Sequence, residues 1–417
     1  MIQPIRTAYA VWELTLQCNL GCVHCGSRAA KARAEELSTA EAVDLARQLG
    51  EVGITEVTLI GGEAYLRPDW LTVVRAIREA GMHCTITTGG YGISESTAER
   101  MREAGVEQVS VSIDGARETH DWLRGRPGSW DACFRSLRNL RQAGIPISCN
   151  SQINRLSAPD LPLIYQDIVE AGCRAWQLAI TVPMGRAADR PEILLQPSEL
   201  LDVFPMLNEL AGWALRDGLL FYPGNNVGYY GPYERRLRGF GGGGAIWQGC
   251  QAGMNTLGIE ADGAIKGCPS LPTSAYVGGN IRQKPLREIL SSAELTFNTR
   301  QGTPEGTEHL WGFCRTCEYA ELCRGGCTWT AHVFFGKRGN NPYCHHRALA
   351  QQRNGERERL VLETPAAGEP FDHGKFAIVT EAAEDPWPDG DTHRFSAEHI
   401  RWSRTEPESG FQFPILQ

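Results

Sequence analysis

Ten of the fourteen cysteines in this chain fall into two ordered sets, which are the residues best suited to carry chemistry. The first set, Cys18, Cys22 and Cys25, has the spacing Cys-x3-Cys-x2-Cys and follows the first apolar run. Thiolates at such spacings bind metal, but a closed tetrahedral site needs a fourth ligand. A four-iron cluster held by three cysteines instead keeps one iron open. The spacing therefore predicts a catalytic metal site, and a zinc site completed by a remote ligand is the alternative.

The second set contains seven cysteines: Cys250, Cys268, Cys314, Cys317, Cys323, Cys327 and Cys344. One or two zinc ribbons also use paired cysteines. Seven thiols suit ribbons poorly, however, and Cys-x5-Cys-x3-Cys is not a usual ribbon spacing. The second set is therefore expected to bind metal, with structural zinc as the less favoured interpretation.

Length and charge restrict the class of protein. The 417 residues suffice for one large barrel-like domain and a smaller one. The formal net charge of −8 argues against a nucleic-acid partner, which would favour a basic face. No stretch approaches ~18 apolar residues, so no membrane span is expected, and the first six residues lack a secretion signal. We therefore expect a cytoplasmic, reducing location, where cysteine clusters bind metal rather than form disulfides.

The elements that must position these cysteines repeat along residues 11–181. Apolar, β-branched runs alternate with amphipathic stretches that end in a small residue and a glycine. The predicted strands are 11–17, 56–60, 83–88, 108–113, 147–152 and 175–181. Ser38 and Ser96 are predicted to cap helices in capping boxes, and Pro68 is predicted to occupy a first helical position. The alternation predicts an α/β fold: a partial (β/α)6 TIM-like barrel with a parallel sheet.

Chemistry in such folds lies at the carboxyl ends of the strands. The first cysteine set follows strand one, Gly61–Glu63 follow strand two, Thr87–Gly90 follow strand three, and Asp114 ends strand four. These residues are therefore expected to share one rim of the barrel.

Four segments are predicted along the chain. Residues 1–195 form the barrel, and residues 196–244 form a helical and glycine-rich linker with a helix at 198–217. Residues 245–350 form a small cysteine-rich domain. Residues 351–417 form a polar carboxyl-terminal extension, which we expect to be loosely packed or to act as a docking arm.

The first cysteine set, with Gly61, Gly62 and Glu63 after strand two, resembles the radical S-adenosylmethionine (SAM) superfamily. The resemblance implies that Cys18, Cys22 and Cys25 ligate a [4Fe–4S] cluster whose open iron binds SAM. In that family an electron splits SAM, and the resulting 5′-deoxyadenosyl radical abstracts a substrate hydrogen. The resemblance also implies an electron donor such as flavodoxin or ferredoxin.

The same resemblance implies contacts to SAM. They are His24 near the adenine, Gly61, Gly62 and Glu63 at the ammonium, Ser112 and Asp114 at the ribose, and Arg124 near the carboxylate. Two departures from the family pattern are visible. Ala64 stands where the family usually has proline, and Gly89 stands where asparagine is common. Neither departure removes a ligand.

The second set resembles the SPASM extension of radical SAM enzymes, which binds two auxiliary [4Fe–4S] clusters and brings the expected total to three. The resemblance implies an outer cluster on Cys314, Cys317, Cys323 and Cys344, and an inner cluster on Cys250, Cys268 and Cys327. Some relatives have a further cysteine shortly before the first of the seven, and this chain has none there. An open or non-cysteine fourth site, approached by substrate or water, is therefore expected at the inner cluster. A non-enzymatic zinc-binding scaffold is the remote alternative.

Many SPASM proteins modify ribosomally made peptides by crosslinking, thioether formation or epimerisation, and a peptide maturase is our first prediction. Oxidation of a small molecule, such as a sugar-like alcohol or a tetrapyrrole side chain, is the alternative. Only some ten residues precede strand one, so a peptide would need a separate leader-recognition protein or the carboxyl-terminal arm. Cys84 and Cys149, in predicted strands, are weak candidates for an inward-facing hydrogen donor. Pro269 stands where sulfatase-maturing relatives carry an acid that acts as a base.

Overall fold

A computed structural model describes residues 9–239, 246–298, 304–388 and 394–404. The glycine run at 241–244, predicted above as part of a linker, lies outside these residues. Within them the strands are β1 (Tyr9–Glu13), β2 (Glu56–Ile60), β3 (His83–Thr88), β4 (Gln108–Ser112), β5 (Ile147–Ile153), β6 (Ala175–Ile180), β7 (Leu220–Pro223), β8 (Thr256–Ile259), β9 (Ala264–Lys266), β10 (Val277–Asn280), β11 (Glu356–Thr364) and β12 (Lys375–Ala382). The helices are α1 (Thr39–Glu51), α2 (Trp70–Glu79), α3 (Glu95–Ala104), α4 (Arg117–Arg124), α5 (Ser129–Gln142), α6 (Leu161–Ala171), α7 (Leu200–Asp217), α8 (Glu234–Arg238), α9 (Thr273–Tyr276), α10 (Leu286–Ile289), α11 (Ala293–Thr296), α12 (Phe313–Thr316), α13 (Ala320–Cys323), α14 (Thr328–Phe335) and α15 (His345–Arg353).

One sheet of ten strands organises the described chain, in the order β10-β9-β8-β1-β2-β3-β4-β5-β6-β7. Strands β1 to β7 are parallel neighbours in chain order, with helices in the connections. This arrangement confirms the predicted partial barrel, to which β7 adds a parallel strand. Strand β8 pairs in parallel with β1 and in antiparallel with β9. The cysteine-rich region therefore joins the barrel by extending its sheet at β1.

The strand register decides which side chains face the barrel interior. Cα partners in neighbouring strands point to the same side of a sheet. Thr58 pairs with Thr85, and their hydroxyls lie 2.7 Å apart. Two strands further on, Ser112 pairs with Asn150 on the same face. The interior face is thus polar, while the opposite face packs apolar side chains against the helices.

Helix capping follows the sequence in part. The Ser38 capping box of α1 is confirmed, because Ser38 and Glu41 each bond the other's backbone. The predicted cap at Ser96 is wrong: the N-cap of α3 is Ser94, two residues earlier, and its side chain accepts from the Thr97 N–H at 3.1 Å. Pro68 lies in the turn before α2 rather than in its first position. No helix among the described residues is long and apolar enough to cross a membrane.

Strand β1 ends four residues earlier than the predicted strand 11–17. After Glu13 the chain leaves the sheet and pairs within its own loop. Ala30 N–H donates to the Leu16 carbonyl at 3.0 Å, and Cys18 N–H donates to the Ala30 carbonyl at 3.1 Å. The apolar run thus continues past the strand because it also builds the loop that carries the cysteines.

The carboxyl-terminal extension is not loosely packed over its described residues, and that expectation is wrong. Strands β11 and β12 form an antiparallel hairpin. Leu360 and Phe376 from this hairpin, and Phe395 beyond it, are buried in the main core. The polar composition concealed this packing because only one face of the hairpin is apolar. The hairpin therefore belongs to the folded body of the protein.

Candidate active site

The loop with Cys18, Cys22 and Cys25 is held against α4 by main-chain hydrogen bonds. Gly21 N–H donates to the Arg124 carbonyl at 3.1 Å, and Val23 N–H donates to the Leu123 carbonyl at 2.9 Å. The Arg124 guanidinium lies 3.6 Å from the Cys22 sulfur. These contacts fix the loop against α4 and place a cation beside one of its thiols.

Gly61 and Gly62 bring the end of β2 against the start of the cysteine loop. Gly62 N–H donates to the Thr15 carbonyl at 2.7 Å. A Cβ on Gly61 would lie 2.2 Å from the Thr15 oxygen, and one on Gly62 would lie 2.2 Å from the Gln17 oxygen. Gly61 also has a φ of +149°, where side chains are strained. Glycine is therefore required here for the backbone to meet the cysteine loop.

The Glu63 carboxylate supports the neighbouring loop after β3. It is buried, and it accepts hydrogen bonds from the Thr88 hydroxyl and, at 2.6 Å, from the Gly89 N–H. Burial raises the pKa of Glu63 to about 7, although these donors favour the charged form. Glu63 thus connects two strand ends of the rim through its side chain.

Asp114, at the end of β4, organises a buried ion cluster. Its Oδ2 lies 2.6 Å from Arg124 Nη2 and 3.0 Å from His24 Nε2, and its Oδ1 accepts from the Gln152 N–H at 2.8 Å. Burial would raise the pKa of the Asp114 carboxyl, but the Arg124 guanidinium and His24 hold it well below its usual range. Asp114 is therefore an anion that fixes a cation and an imidazole beside the cysteines.

A cavity of about 290 Å³ opens above these groups at the carboxyl ends of the strands. Five of the predicted SAM-binding residues line it: His24, Gly61, Ser112, Asp114 and Arg124. Gly62 and Glu63 are not among its lining residues. The structure thus brings most of the predicted contacts to one cavity, and Gly62 and Glu63 are the two that do not line it.

Other lining residues were not predicted from the sequence. Asn150 and Gln152 lie two residues apart on β5, and both face the cavity. The expectation that the carboxyl ends of strands carry the site would have identified them if it had been applied to strand five. Glu13, Trp329 and Phe371 also line it. They come from β1, α14 and the tip of the β11–β12 hairpin, and no local pattern in the sequence marks them.

Phe371 reaches the cavity because the hairpin tip is fixed to the cysteine loop. Arg28 Nε donates to Asp372 Oδ1 at 2.9 Å, and Gly185 N–H donates to the Asp372 carbonyl at 2.9 Å. Phe371 itself adopts a φ of +59° and is half-buried. Backbone strain of this kind persists only where the surroundings hold it. The extension therefore supplies part of the cavity wall.

The residues present fit a SAM-binding cluster. His24 Nδ1 and Arg124 Nε are buried at this cavity without a hydrogen-bond partner among the described residues. Buried polar groups rarely remain unpaired, so these atoms await a ligand with hydrogen-bonding groups. Cys18, Cys22 and Cys25 are free thiols on the same rim. A polar ligand held beside three thiols is the arrangement that a SAM-bound cluster requires.

Three cysteines of the second set lie together behind the cavity. Burial raises the pKa of the Cys327 thiol to about 12, with further contributions from the nearby Cys250 and Cys268. Pro269 and Trp329, which line the cavity, follow Cys268 and Cys327 closely in the chain. Two of the inner thiols are therefore close in the chain to residues that line the cavity.

The remaining four cysteines form the outer group. Burial raises the pKa of the Cys323 thiol well above its usual value, and the nearby thiols of Cys344, Cys314 and Cys317 add to this effect. In the described part of the chain, no three His, Cys, Asp or Glu side chains are placed to hold a single metal ion. A four-iron cluster instead binds each thiolate to a different iron. The four thiols of the outer group could therefore hold one such cluster.

Cys84 and Cys149 do not face the barrel interior, and the suggestion that they point inward is wrong. Cys84 pairs with Val57, and Cys149 pairs with Val111. These positions alternate with the inward-facing Thr85 and Asn150, so their side chains point toward the helices. Both are fully buried, and burial raises the pKa of the Cys84 thiol to about 12. Neither sulfur is placed to donate hydrogen to a substrate in the cavity.

Comparisons with known proteins agree with this architecture. The radical SAM superfamily model matches residues 12–154, and the SPASM model, an iron–sulfur cluster-binding domain, matches residues 250–318. The AdoMet-dependent heme synthase of Methanosarcina barkeri is 30% identical over 351 residues, covering 81% of this chain and 95% of the relative. The mycofactocin maturase MftC of Mycobacterium ulcerans is 30% identical over 360 residues, covering 84% of this chain and 92% of the relative.

The fold is shared with a solved structure, native anSMEcpe with bound AdoMet. The TM-score is 0.61 at 16% sequence identity, covering 82% of this chain and 94% of that chain. This chain therefore belongs to the radical SAM superfamily and carries a carboxyl-terminal SPASM domain. It is an enzyme whose cofactors are SAM and iron–sulfur clusters.

Proposed function

We propose that this enzyme modifies a ribosomally made peptide by a reaction that begins with hydrogen abstraction. When bound, SAM and a four-iron cluster supply the 5′-deoxyadenosyl radical for that abstraction. Cys18, Cys22 and Cys25 would hold the cluster. Arg124 would donate a hydrogen bond to SAM through Nε, and His24 would contact SAM through Nδ1.

The charge of the cavity lining carries this proposal. The Arg124 guanidinium and the His24 imidazole, the basic side chains among its described lining residues, both pair with Asp114. A tetrapyrrole side chain that ends in a carboxylate would need a free cation there. A peptide instead presents neutral amide groups, which the side-chain amides of Asn150 and Gln152 match. The lining therefore favours a peptide over a polyanionic ring.

The auxiliary clusters complete the proposal. Cys250, Cys268 and Cys327 would hold the inner cluster with a fourth position open to substrate or water, and the outer four cysteines would close the second. Pro269 and Trp329, which follow Cys268 and Cys327 in the chain, line the cavity and support this arrangement, since a substrate there would contact residues next to these thiols. Spectroscopy that detects four cysteine ligands on the inner cluster would contradict it.

The electron that starts the reaction must come from another protein, and we propose a flavodoxin or ferredoxin as the electron donor. A reducing, cytoplasmic location belongs to the same proposal, because the ten cysteines that would hold clusters must stay reduced. Anaerobic turnover with a reduced flavodoxin in place of dithionite tests the donor. Failure of both flavodoxin and ferredoxin to support turnover would contradict it.

Coexpression with each short reading frame encoded beside the gene tests the substrate class. Mass spectrometry of the recovered peptide is expected to show the loss of two hydrogens for a crosslink or thioether, or solvent deuterium at one residue for an epimer. The matched control replaces Cys18, Cys22 and Cys25 with alanine and should leave the peptide unchanged. Peptides that remain unmodified by an enzyme able to cleave SAM would overturn the proposal.

Oxidation of a tetrapyrrole side chain is the second candidate. The 30% identity to a heme synthase over most of both chains favours it. Incubation of the reduced enzyme and SAM with an iron porphyrin that bears propionate groups separates the two candidates. Conversion of the porphyrin, with no change in any peptide, would select this alternative.

A further inference from the structure

Glu13 is a carboxyl group of the cavity that SAM binding does not account for. It is the last residue of β1, pairs with Ile60, and lines the cavity together with that residue. Its side chain is buried, with 3% of the residue exposed. Burying an ionised carboxyl group away from water destabilises the folded protein unless the group is paired with a cation or hydrogen-bond donors.

Glu13 is poorly paired compared with its neighbours. Arg33 Nη2 lies 3.1 Å from Glu13 Oε1, and the Ala261 N–H donates to the same oxygen at 3.3 Å. Glu260 in the same network receives Lys266 Nζ at 2.7 Å and Arg33 Nη1 at 3.0 Å. Arg33 is therefore shared by the two carboxyl groups, whereas Lys266 forms its ion pair with Glu260.

The two carboxyl groups consequently differ in acidity. Burial raises the pKa of Glu13 to about 7, and the charge of Glu260 adds to this, while Arg33 and Lys266 oppose it. Burial would also raise the pKa of Glu260, but Lys266 holds it below its usual value. When the pKa values of two neighbouring carboxyl groups are shifted apart, the group with the raised pKa is the one that can exchange a proton near neutral pH.

Asp114 is the other carboxyl group among the described lining residues, and it is held as an anion by Arg124 and His24. Pro269, on the wall beside the inner thiols, carries no base. Glu13 is thus the lining carboxyl group whose protonation can change during a reaction.

We propose that Glu13 accepts the proton that the substrate releases when it is oxidised, a role that rests on the proposed peptide modification. The hydrogen atom of a substrate C–H bond passes to the 5′-deoxyadenosyl radical and gives 5′-deoxyadenosine. The substrate radical then bonds to the heteroatom of a nearby X–H group in the peptide. As the C–X bond forms, the X–H proton goes to Glu13 and one electron goes to an oxidised iron–sulfur cluster.

The test compares the reconstituted wild type with Glu13→Gln, using the peptide that the wild type modifies in coexpression. The yield of product per 5′-deoxyadenosine is measured against pH, with the reacting C–H position deuterated. Glu13→Gln should still transfer deuterium to 5′-deoxyadenosine, while its product yield falls about 100-fold, the effect of losing a general base. The wild-type yield should rise as the pH passes about 7.

Two further variants distinguish proton transfer from a structural role. Glu13→Asp should restore part of the product yield. Glu260→Gln removes a charge that raises the Glu13 pKa, so its pH midpoint should move downward.

A wild-type product yield in Glu13→Gln would overturn the proposal. If Glu13→Gln does not assemble its clusters, the test rests on the pH dependence of the wild-type product yield. A wild-type yield that does not change through neutral pH would overturn the proposal. A wild type that modifies no peptide refutes the proposed function, and this role falls with it.

Discussion

Replacing Asp114 with asparagine tests the ion cluster on which the cavity depends. The substitution keeps the size of the side chain and removes its charge. Arg124 would then remain buried beside a neutral amide, with its guanidinium still 3.6 Å from the Cys22 sulfur. Two interactions of the carboxylate, with Arg124 and with His24, would be lost or weakened together.

The expected cost follows from burial. Asp114 is 0% exposed and Arg124 is 8% exposed, so solvent replaces little of the lost interaction. Breaking a buried ion pair on one side typically costs about 3–5 kcal/mol in the free energy of unfolding. The matched control is Glu363→Gln, because the pair of Glu363 with Lys375 is exposed and worth about 0–1 kcal/mol.

Anaerobic urea unfolding of the reconstituted proteins, followed by far-UV circular dichroism, measures both variants. The pKa of Asp114 is depressed by folding, so its contribution is complete above its unfolded pKa of about 3.9 and is lost as the pH falls below that value. The difference between wild type and Asp114→Asn should therefore be constant near neutral pH and shrink in acid. A loss of unfolding free energy no larger than that of Glu363→Gln, or a loss that stays the same at acid pH, would refute this account of the site.

Three further predictions concern placement. Gly61→Ala should displace the cysteine loop, because its Cβ would lie 2.2 Å from the Thr15 oxygen, and about four irons per chain should be lost on analysis; full iron content would contradict this. Cys84→Ser and Cys149→Ser should each keep product yield within about twofold, since neither faces the cavity; loss of product by either would reverse that placement. Asp372→Ala should speed amide hydrogen exchange of the hairpin tip about tenfold; unchanged exchange would show that the ion pair does not hold it.

The sequence predicted the elements whose signals are local. Strand and helix periodicity repeats along the barrel, and the confirmed fold follows from it. The spacing of Cys18, Cys22 and Cys25 identified the loop that the structure places on the rim. The grouping of the second cysteine set came from a family pattern, and the structure brings the same thiols together.

The remaining features depend on long-range contacts, which have no local pattern. Phe371 lies more than three hundred residues from the cysteine loop, and it enters the cavity only because Asp372 pairs with Arg28. Glu13 lies inside the predicted strand 11–17, and its acidity depends on contacts with Arg33 and Glu260 that are distant in the sequence. The side of the sheet that Cys149 faces depends on register, which periodicity alone left undecided.

The assignment of the first cysteine set to a SAM-cleaving cluster is tested most directly by iron content and SAM cleavage in one pair of proteins. After anaerobic reconstitution, the wild type should hold about twelve irons per chain and form 5′-deoxyadenosine when reduced with SAM. A variant with alanine at Cys18, Cys22 and Cys25 should hold about eight irons and form none. Iron content that does not change in the variant, or 5′-deoxyadenosine formed without these three thiols, would contradict the assignment.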